Sequence, residues 1–273
     1  MRFGAPVFGD MSTPEKWIEL IKVKGYRAAY SPIDHRADSA TRKSYATAAQ
    51  NADIIIAETG AWSNPLDPNL EKSTAAILYC QKQLDLAEEI GARCCVNITG
   101  SRGEIWDGPH KDNLTTATFD KIVEITRKII DAVNPKRTFY TLETMPWMYP
   151  DSTKSYVRLI KAIDRPQFAV HFDPVNLICS PQRYFAHEDL IRDFCDQLGA
   201  HIKSCHIKDM VISSKLLTHI DEVRPGLGTL NYPSLLKELS KLDADLPIML
   251  EHLPNADEYE LAAEYVREMM ERI

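Results

Sequence analysis

Four side chains that can bind metal follow four successive apolar segments in the second half of the chain. They are Glu143 in TLETM, Asp173 in VHFDP, His206 in CHIKD and Glu251 in MLEHL. If these segments are neighbouring parallel strands of a closed sheet, their carboxyl ends meet on one face. Three carboxylates held together in a half-buried position need a compensating charge, which a bound cation supplies. We therefore predict that Glu143, Asp173, His206 and Glu251 bind one divalent metal ion.

The predicted ligand set consists of three carboxylates and one imidazole, so most of its donors are hard oxygens. Such a set favours Mn²⁺, with Mg²⁺, Co²⁺ and Zn²⁺ as alternatives, over a structural zinc site built from thiolates. Taken singly, Asp173 could instead cap a helix and His206 could be an ordinary packed residue. Glu143 and Glu251 are harder to explain in this way, because a carboxylate within an apolar segment is rarely buried without a partner.

The elements that position these residues are read from the alternation of short apolar runs with longer amphipathic stretches, which occurs about eight times. The alternation predicts a single (β/α)8 barrel, a TIM barrel of the α/β class, over residues 1–273. An open doubly wound sheet is the main rival. It usually carries G-x-G-x-x-G after the first strand, and PVFGDMSTPE lacks that pattern. The predicted strands are 2–8, 26–32, 53–59, 93–99, 138–144, 167–173, 202–208 and 247–253.

Composition narrows the function classes. The chain has 32 basic and 39 acidic residues, a formal net charge of -7, and no basic patch, so a nucleic-acid partner is not expected. No segment approaches the ~18 apolar residues of a membrane helix, and no secretion signal is seen. Six cysteines without a C-x-x-C pair are typical of reduced thiols. We expect a cytoplasmic protein that acts on a small molecule, and a dimer or tetramer is compatible with the sequence.

The motifs LETMPW, HFDPVN, HIKD, RPGLG and LEH resemble the xylose-isomerase-like barrel superfamily, in its sugar phosphate isomerase/epimerase branch. Within that branch the chain is similar to ketose 3-epimerases. The resemblance implies the same four metal ligands, and it implies that Glu143 and Glu251 act as catalytic acid and base on opposite faces of the substrate. It also implies that Arg224 in EVRPGLG contacts a substrate oxygen.

Two departures from the related patterns are informative. Ketose 3-epimerases typically place a His three residues after the strand-six Asp, and this chain has Asn176, which can contact a hydroxyl but cannot act as the same base. The related apurinic endonucleases use additional histidines after strands three and four. Here those stretches read IAETGAW and VNITGSR, without histidine, which disfavours DNA repair.

The resulting hypothesis is an isomerase, a sugar epimerase or aldose-ketose isomerase, that abstracts a proton next to a metal-polarised carbonyl and passes through a cis-enediolate. A metal-dependent 3-keto-glycoside lyase or sugar-acid dehydratase on the same barrel is the first alternative. A barrel that binds sugar without catalysis is the second.

Other residues near the predicted strand ends are candidates for substrate contact. Asn97, Asn176 and Lys208 could bond substrate oxygens, and Glu58 could reach the site or merely cap a turn. Lys208 could equally pair with Asp209. Aromatic side chains after the strands can pack against the apolar face of a sugar, and we expect this of Trp62, Trp106, Trp147 and Tyr149, although ordinary packing at the rim explains any one of them. His171 is expected to support a ligand, and GLG at 226–228 is only a weak phosphate-binding signal. Without a Lys/Arg cluster, we expect a non-phosphorylated carbohydrate substrate.

Overall fold

Eight parallel strands close into a barrel in the computed structural model, which describes residues 1–273. The barrel closes where Arg2, Phe3 and Gly4 of the first strand pair with Pro247, Ile248 and Met249 of the last. Two further strands form an antiparallel hairpin outside the barrel. In chain order the strands are β1 Arg2–Gly4, β2 Ala28–Tyr30, β3 Ile55–Gly60, β4 Cys94–Asn97, β5 Phe139–Glu143, β6 Phe168–Phe172, β7 Ile202–Ile207, the hairpin strands β8 Asp209–Ser213 and β9 His219–Val223, and β10 Pro247–Leu250.

Helices lie between successive barrel strands and cover the barrel. Most begin at a residue whose side chain accepts a backbone N–H of the first turn, as Thr13, Asp38, Asn69 and Asn255 do. The helices are α1 Pro14–Val23, α2 Ser39–Asn51, α3 Leu70–Ile90, α4 Thr116–Val133, α5 Thr153–Ile163, α6 Pro181–Phe185, α7 His187–Leu198, α8 Tyr232–Ser240 and α9 Ala256–Glu271. None of them is long and apolar enough to cross a membrane.

The main apolar core comprises 58 buried residues contributed by both strands and helices. Phe172 of β6, for example, stacks on Phe194 of α7 with ring centroids 4.1 Å apart. Tyr156 of α5 is fully buried, and its hydroxyl lies 2.5 Å from the Leu142 carbonyl and 3.0 Å from the Ala169 carbonyl. This core fixes the strand ends, and with them the direction of the side chains that follow each strand.

The predicted (β/α)8 barrel is confirmed, and a strand lies within or close to each of the eight predicted ranges, with three to six residues in place of the predicted seven. The hairpin β8–β9 is not among the predicted strands. Three of the five residues of β9 are exposed, so this segment lacks the apolar run that marks a buried strand.

Candidate metal centre and active site

The four predicted metal ligands meet at the carboxyl ends of their strands. One ligand atom from each of Glu143, Asp173, His206 and Glu251 lies within 4.8 Å of the other three. His206 Nδ1 is 2.8 Å from Glu143 Oε1 and 3.0 Å from Glu251 Oε2. We call these four residues the cation cluster. They come from β5, β7 and the residues directly after β6 and β10, so the barrel itself sets their spacing.

Bonds to neighbouring residues fix the loops that carry these ligands. The hydroxyl of Thr144 donates to the Asp173 carbonyl at 2.7 Å and accepts the Asp173 N–H at 3.0 Å, which ties the ends of β5 and β6 together. Asp173 Oδ1 in turn accepts the N–H of Asn176 at 3.1 Å. The amide of Asn176 is 3.5 Å from Glu143 Oε1. The carboxylates therefore approach the centre in fixed directions.

A fourth carboxylate, the buried Glu58 of β3, contacts the cluster from within the barrel. Its Oε1 is 3.0 Å from His206 Nε2, and its Oε2 is 2.8 Å from His171 Nε2 and accepts the Ser204 hydroxyl at 3.0 Å. β3 is not adjacent to β6 or β7, so these contacts cross the barrel interior. A carboxylate that accepts a hydrogen bond from Nε2 of His206 keeps the proton on that nitrogen. The lone pair on Nδ1 is then available to a metal.

Lys208, only 1% exposed, compensates part of the negative charge. Its Nζ is 2.6 Å from Glu251 Oε1 and 2.8 Å from Asp173 Oδ2, with Glu222 Oε2 further away at 3.6 Å. The predicted alternative, a salt bridge from Lys208 to Asp209, is wrong, because Lys208 pairs with two members of the cation cluster instead.

Proximity shifts the proton affinities of these groups. Burial lowers the pKa of His206, but the charges of Glu251 and Glu58 outweigh burial and hold that pKa well above its ordinary range. Burial and the neighbouring charge of Glu251 raise the pKa of Glu143. Burial also acts to raise the pKa of Glu251, yet His206 and Lys208 dominate and hold it well below its usual value. The two glutamates thus differ in their affinity for a proton.

The residues present fit a divalent cation. Asp173 Oδ2 and Glu251 Oε1 are buried oxygens that accept no hydrogen bond of acceptable geometry, although Lys208 lies close to both. One carboxylate oxygen from each of Glu143, Asp173 and Glu251, with one ring nitrogen of His206, forms a donor set of the kind that Mn²⁺ and Mg²⁺ accept. One lysine balances only part of the charge of three buried carboxylates, and a divalent cation would balance the rest.

The cation cluster forms part of the floor of a cavity of about 820 Å³. Glu143, His206 and Glu251 line it, together with Asn176 and Tyr30, whose hydroxyl donates to the Leu250 carbonyl at 3.0 Å. No Lys or Arg is among the 23 lining residues. The wall therefore offers no lysine or arginine to a phosphate group, in keeping with the expectation of a non-phosphorylated substrate.

Several of the predicted contact residues line this cavity. They are Asn176, Trp62, Trp106 and Trp147. Lys208 reaches the cation cluster at the floor and also donates to Asn176 Oδ1 at 3.4 Å. These positions are compatible with contacts to a substrate, and the contacts themselves remain a prediction.

Three other predicted contact residues, Glu58, Asn97 and Arg224, do not line the cavity, and their contact with a substrate stays a prediction. Glu58 is engaged below the cluster by His171, Ser204 and His206, as described. Asn97 is fully buried and fixes the loop after β3, since its Oδ1 accepts the Ser63 N–H at 3.2 Å. Arg224 pairs with Glu258 of α9 at 2.9 Å.

The GLG turn does not offer its backbone N–H groups to a phosphate. Asp209, 1% exposed, accepts the N–H of Gly226 at 3.0 Å and that of Gly228 at 3.1 Å, and its other oxygen accepts the N–H of Leu230 at 2.9 Å. A Cβ at position 228 would lie 2.1 Å from Asp209 Oδ1, so glycine is required there. The motif is therefore a structural turn.

Sequence reasoning missed several polar residues that line the cavity, among them Glu222 and His252. Glu222 lies on β9, and its Oε2 is 3.3 Å from His252 Nδ1. His252 follows Glu251 directly with a φ of 59°. The only available signal was the alternation in THIDEV, which is short and mostly polar, so nothing distinguished it from a loop.

The sequence profile of the family described as xylose isomerase-like TIM barrel matches residues 16–269 of this chain. The chain therefore belongs to that family, which confirms the resemblance drawn from its motifs. No curated protein sequence matches the chain significantly.

Solved structures with the same fold include enzymes of different reaction classes. D-psicose 3-epimerase with D-tagatose, from Clostridium cellulolyticum H10, is 12% identical over 99% of both chains, with a TM-score of 0.69. The probable 3-DHS dehydratase AsbF from Bacillus anthracis is 14% identical over 100% of both, with a TM-score of 0.71. A xylose isomerase-like barrel protein from Mycobacterium smegmatis, solved in complex with magnesium, is 14% identical over 94% of this chain and 88% of that one, with a TM-score of 0.65. At these identities the likeness establishes the fold only.

Proposed function

We propose that the protein is a divalent-metal-dependent carbohydrate isomerase or epimerase that moves a proton on the carbon next to a carbonyl. The observation that carries the proposal is the cation cluster itself: three carboxylates and an imidazole converge on the floor of a cavity that no Lys or Arg lines. A bound cation, Mn²⁺ in our first expectation, would supply Lewis-acid polarisation of the substrate carbonyl.

Glu143 and Glu251 are the residues that we assign to proton transfer. They reach the centre from β5 and from the end of β10, which are separated in the barrel by β6 and β7. Each lies within 3.0 Å of His206 Nδ1, so the two carboxylates flank the same point from different directions. A carbon held between them could lose a proton to one carboxylate and receive a proton from the other, which inverts its configuration.

Asn176 and Lys208 are assigned to orientation. The Asn176 amide lines the cavity next to Glu143 and can bond a hydroxyl of the substrate. Lys208 holds the carboxylates of Glu251 and Asp173 in place through ion pairs of 2.6 and 2.8 Å. Neither residue needs to exchange a proton for this role.

Solvent exchange tests the proposal directly. Purified protein is assayed for bound metal, stripped with EDTA, reloaded with Mn²⁺, Mg²⁺, Co²⁺ or Zn²⁺, and incubated with ketoses and aldoses in D2O. We expect metal-dependent incorporation of deuterium next to the carbonyl, together with a stereoisomer or the paired aldose or ketose, detected by NMR. Absence of near-stoichiometric metal and of any exchange would favour a sugar-binding barrel without catalysis.

Two observations support a second reaction class as an alternative. Position 176 is Asn where the ketose 3-epimerases have a His, and the cavity is larger than one sugar ring requires. A 3-keto-glycoside lyase or a sugar-acid dehydratase would use the same carboxylates to remove the proton and would then expel a leaving group. In the same NMR experiment that class gives an unsaturated product with released aglycone or water, and no stereoisomer accumulates.

A further inference from the structure

The outer wall of the cavity contrasts with its charged floor. Trp62, Trp106 and Trp147 follow β3, β4 and β5, which are adjacent in the barrel, so the three indoles occupy one continuous side of the mouth. We call these three residues the aromatic arc. Each indole is 38–42% exposed, although such large apolar surfaces are usually buried in a protein without a ligand.

Cross-bonds between their loops hold the arc in place. The Trp147 indole N–H donates to the Asp107 carbonyl at 2.8 Å, which joins the loops after β4 and β5. Asn113, fully buried, donates to the Trp147 carbonyl at 3.2 Å. Asn64 donates to the Ser101 carbonyl at 2.9 Å, which joins the loops after β3 and β4. The three loops therefore form a preorganised surface.

Gly100 shows how closely these loops are packed together. Its φ is +83°, and a Cβ at this position would lie 2.0 Å from Asn64 Oδ1. Only glycine allows the loop after β4 to approach the loop after β3 in this way. Similarly, a Cβ on Gly60 would lie 2.4 Å from the Trp62 indole nitrogen, so the Trp62 ring lies directly against the backbone. The exposed indoles are thus built into the wall.

Size and charge specify what the arc can hold. At about 820 Å³ the cavity is near the upper end of the range for drug-sized ligands, well beyond a single sugar ring. The lining residues include four acidic side chains and no Lys or Arg, which disfavours an anionic group such as a phosphate. Flat apolar rings stack on indoles with favourable energy.

We propose that the substrate is a neutral carbohydrate that carries an aromatic aglycone: the sugar lies over the cation cluster and the aglycone packs against the aromatic arc. The inference rests on the proposed function for the orientation of the sugar. It adds the class of substrate, an aryl glycoside or its keto form, which the reaction chemistry alone does not specify.

The test compares matched pairs of 4-nitrophenyl and methyl β-D-glycosides of glucose, galactose and xylose. Their binding to the Mn²⁺-loaded protein is measured by isothermal titration calorimetry. In at least one pair the aryl member should bind at least about tenfold more tightly, because the arc buries its ring. Equal affinities within every pair, or no binding by any member, would overturn the proposal.

Alanine variants of the aromatic arc show which residues contribute to the affinity for the aryl glycoside. Trp106→Ala and Trp147→Ala should each weaken aryl binding at least about threefold while changing the affinity for the methyl glycoside less than twofold. Phe185→Ala is the matched control, since Phe185 is an exposed aromatic residue on α6 that does not line the cavity. An equal loss for both members of a pair would contradict a role in holding the aglycone. Unchanged thermal unfolding shows that the variants are folded, and titration at saturating Mn²⁺ keeps the metal site filled in each variant.

The two proposals fail in different ways. If the preference for aryl glycosides is present but no deuterium exchange occurs with any carbohydrate, the proposed reaction is wrong and the aromatic arc stands as a binding site. If free ketoses undergo exchange and no aryl preference exists, the reaction stands and the assignment of the arc is wrong.

Discussion

The cation cluster and the aromatic arc are two regions of one cavity that are built in opposite ways. Members of the cluster lie on strands or directly after them, have side chains no more than 12% exposed, and are bonded to other buried polar groups. Members of the arc lie on loops, expose about two fifths of their surface, and are held mainly through backbone contacts. The barrel thus fixes the chemistry at its strand ends, whereas its loops shape the space for the substrate.

The largest effect should come from the two glutamates of the cluster. Glu143→Gln and Glu251→Gln keep the shape of the side chain but remove a charge and a proton carrier, so we expect the exchange rate to fall about 10²- to 10⁴-fold. Rates are measured by NMR in D2O with saturating Mn²⁺, and bound metal is determined in parallel. Glu124→Gln, an exposed change on α4, is the control. Near-normal rates in both variants would refute the assignment of the reaction to these carboxylates.

The variant Lys208→Met tests whether Lys208 balances the negative charge of the cation cluster when no metal is bound. In Lys208→Met, Asp173 and Glu251 remain buried without their cationic partner, so the free energy of unfolding in EDTA should fall by about 3–5 kcal/mol. Urea unfolding with and without Mn²⁺ measures this, and Mn²⁺ should stabilise the variant more than the unchanged protein because the cation replaces the lost charge. The exposed Lys237→Met on α8 serves as control. Equal stability of Lys208→Met and the unchanged protein in EDTA would show that Lys208 is not the counter-ion.

The variant Glu58→Gln tests whether the contact of Glu58 with His206 contributes to metal binding. A glutamine in its place can no longer accept from both His171 and His206, so one imidazole loses its partner and His206 loses its fixed tautomer. We expect the Mn²⁺ affinity measured by calorimetry to fall about 10- to 100-fold. Because Glu58 does not line the cavity, the preference for aryl over methyl glycosides should persist at saturating metal. An unchanged Mn²⁺ affinity would leave Glu58 with a packing role only.

The same contrast explains what the sequence could predict. Glu143 and Glu251 interrupt apolar runs, and Asp173 and His206 occupy equivalent places in the repeating strand-helix pattern, so their convergence followed once a barrel was expected. The contacts of Glu58 could not be read from local spacing, because they cross the barrel between strands that are not adjacent.

Loop residues were harder to place for a related reason. The position of Arg224 depends on Glu258, 34 residues later on α9, and the GLG amides are satisfied by Asp209 at the start of the hairpin. Such pairings depend on the conformation of the loops, which produces no periodic pattern of apolar residues in the sequence. The exposed strand β9 has no such pattern either. The aromatic residues were expected near the mouth simply because they follow strands, and their alignment along one side became visible only in the barrel order.

The smallest expected effect is the change in Mn²⁺ affinity when a tryptophan of the aromatic arc is removed. Trp106 shares no side-chain bond with the cation cluster and its strand, β4, contributes no ligand, so Trp106→Ala should leave Mn²⁺ affinity within about twofold and the free energy of unfolding within about 1 kcal/mol. Trp147 follows Glu143 by four residues in the loop after β5, so its removal can loosen one ligand and should weaken Mn²⁺ binding somewhat more. Calorimetric titration of both variants gives this order. If Trp106→Ala lowered the affinity as far as Glu58→Gln, the floor and the wall would form one coupled unit, and the separation between chemistry and substrate fit would not hold.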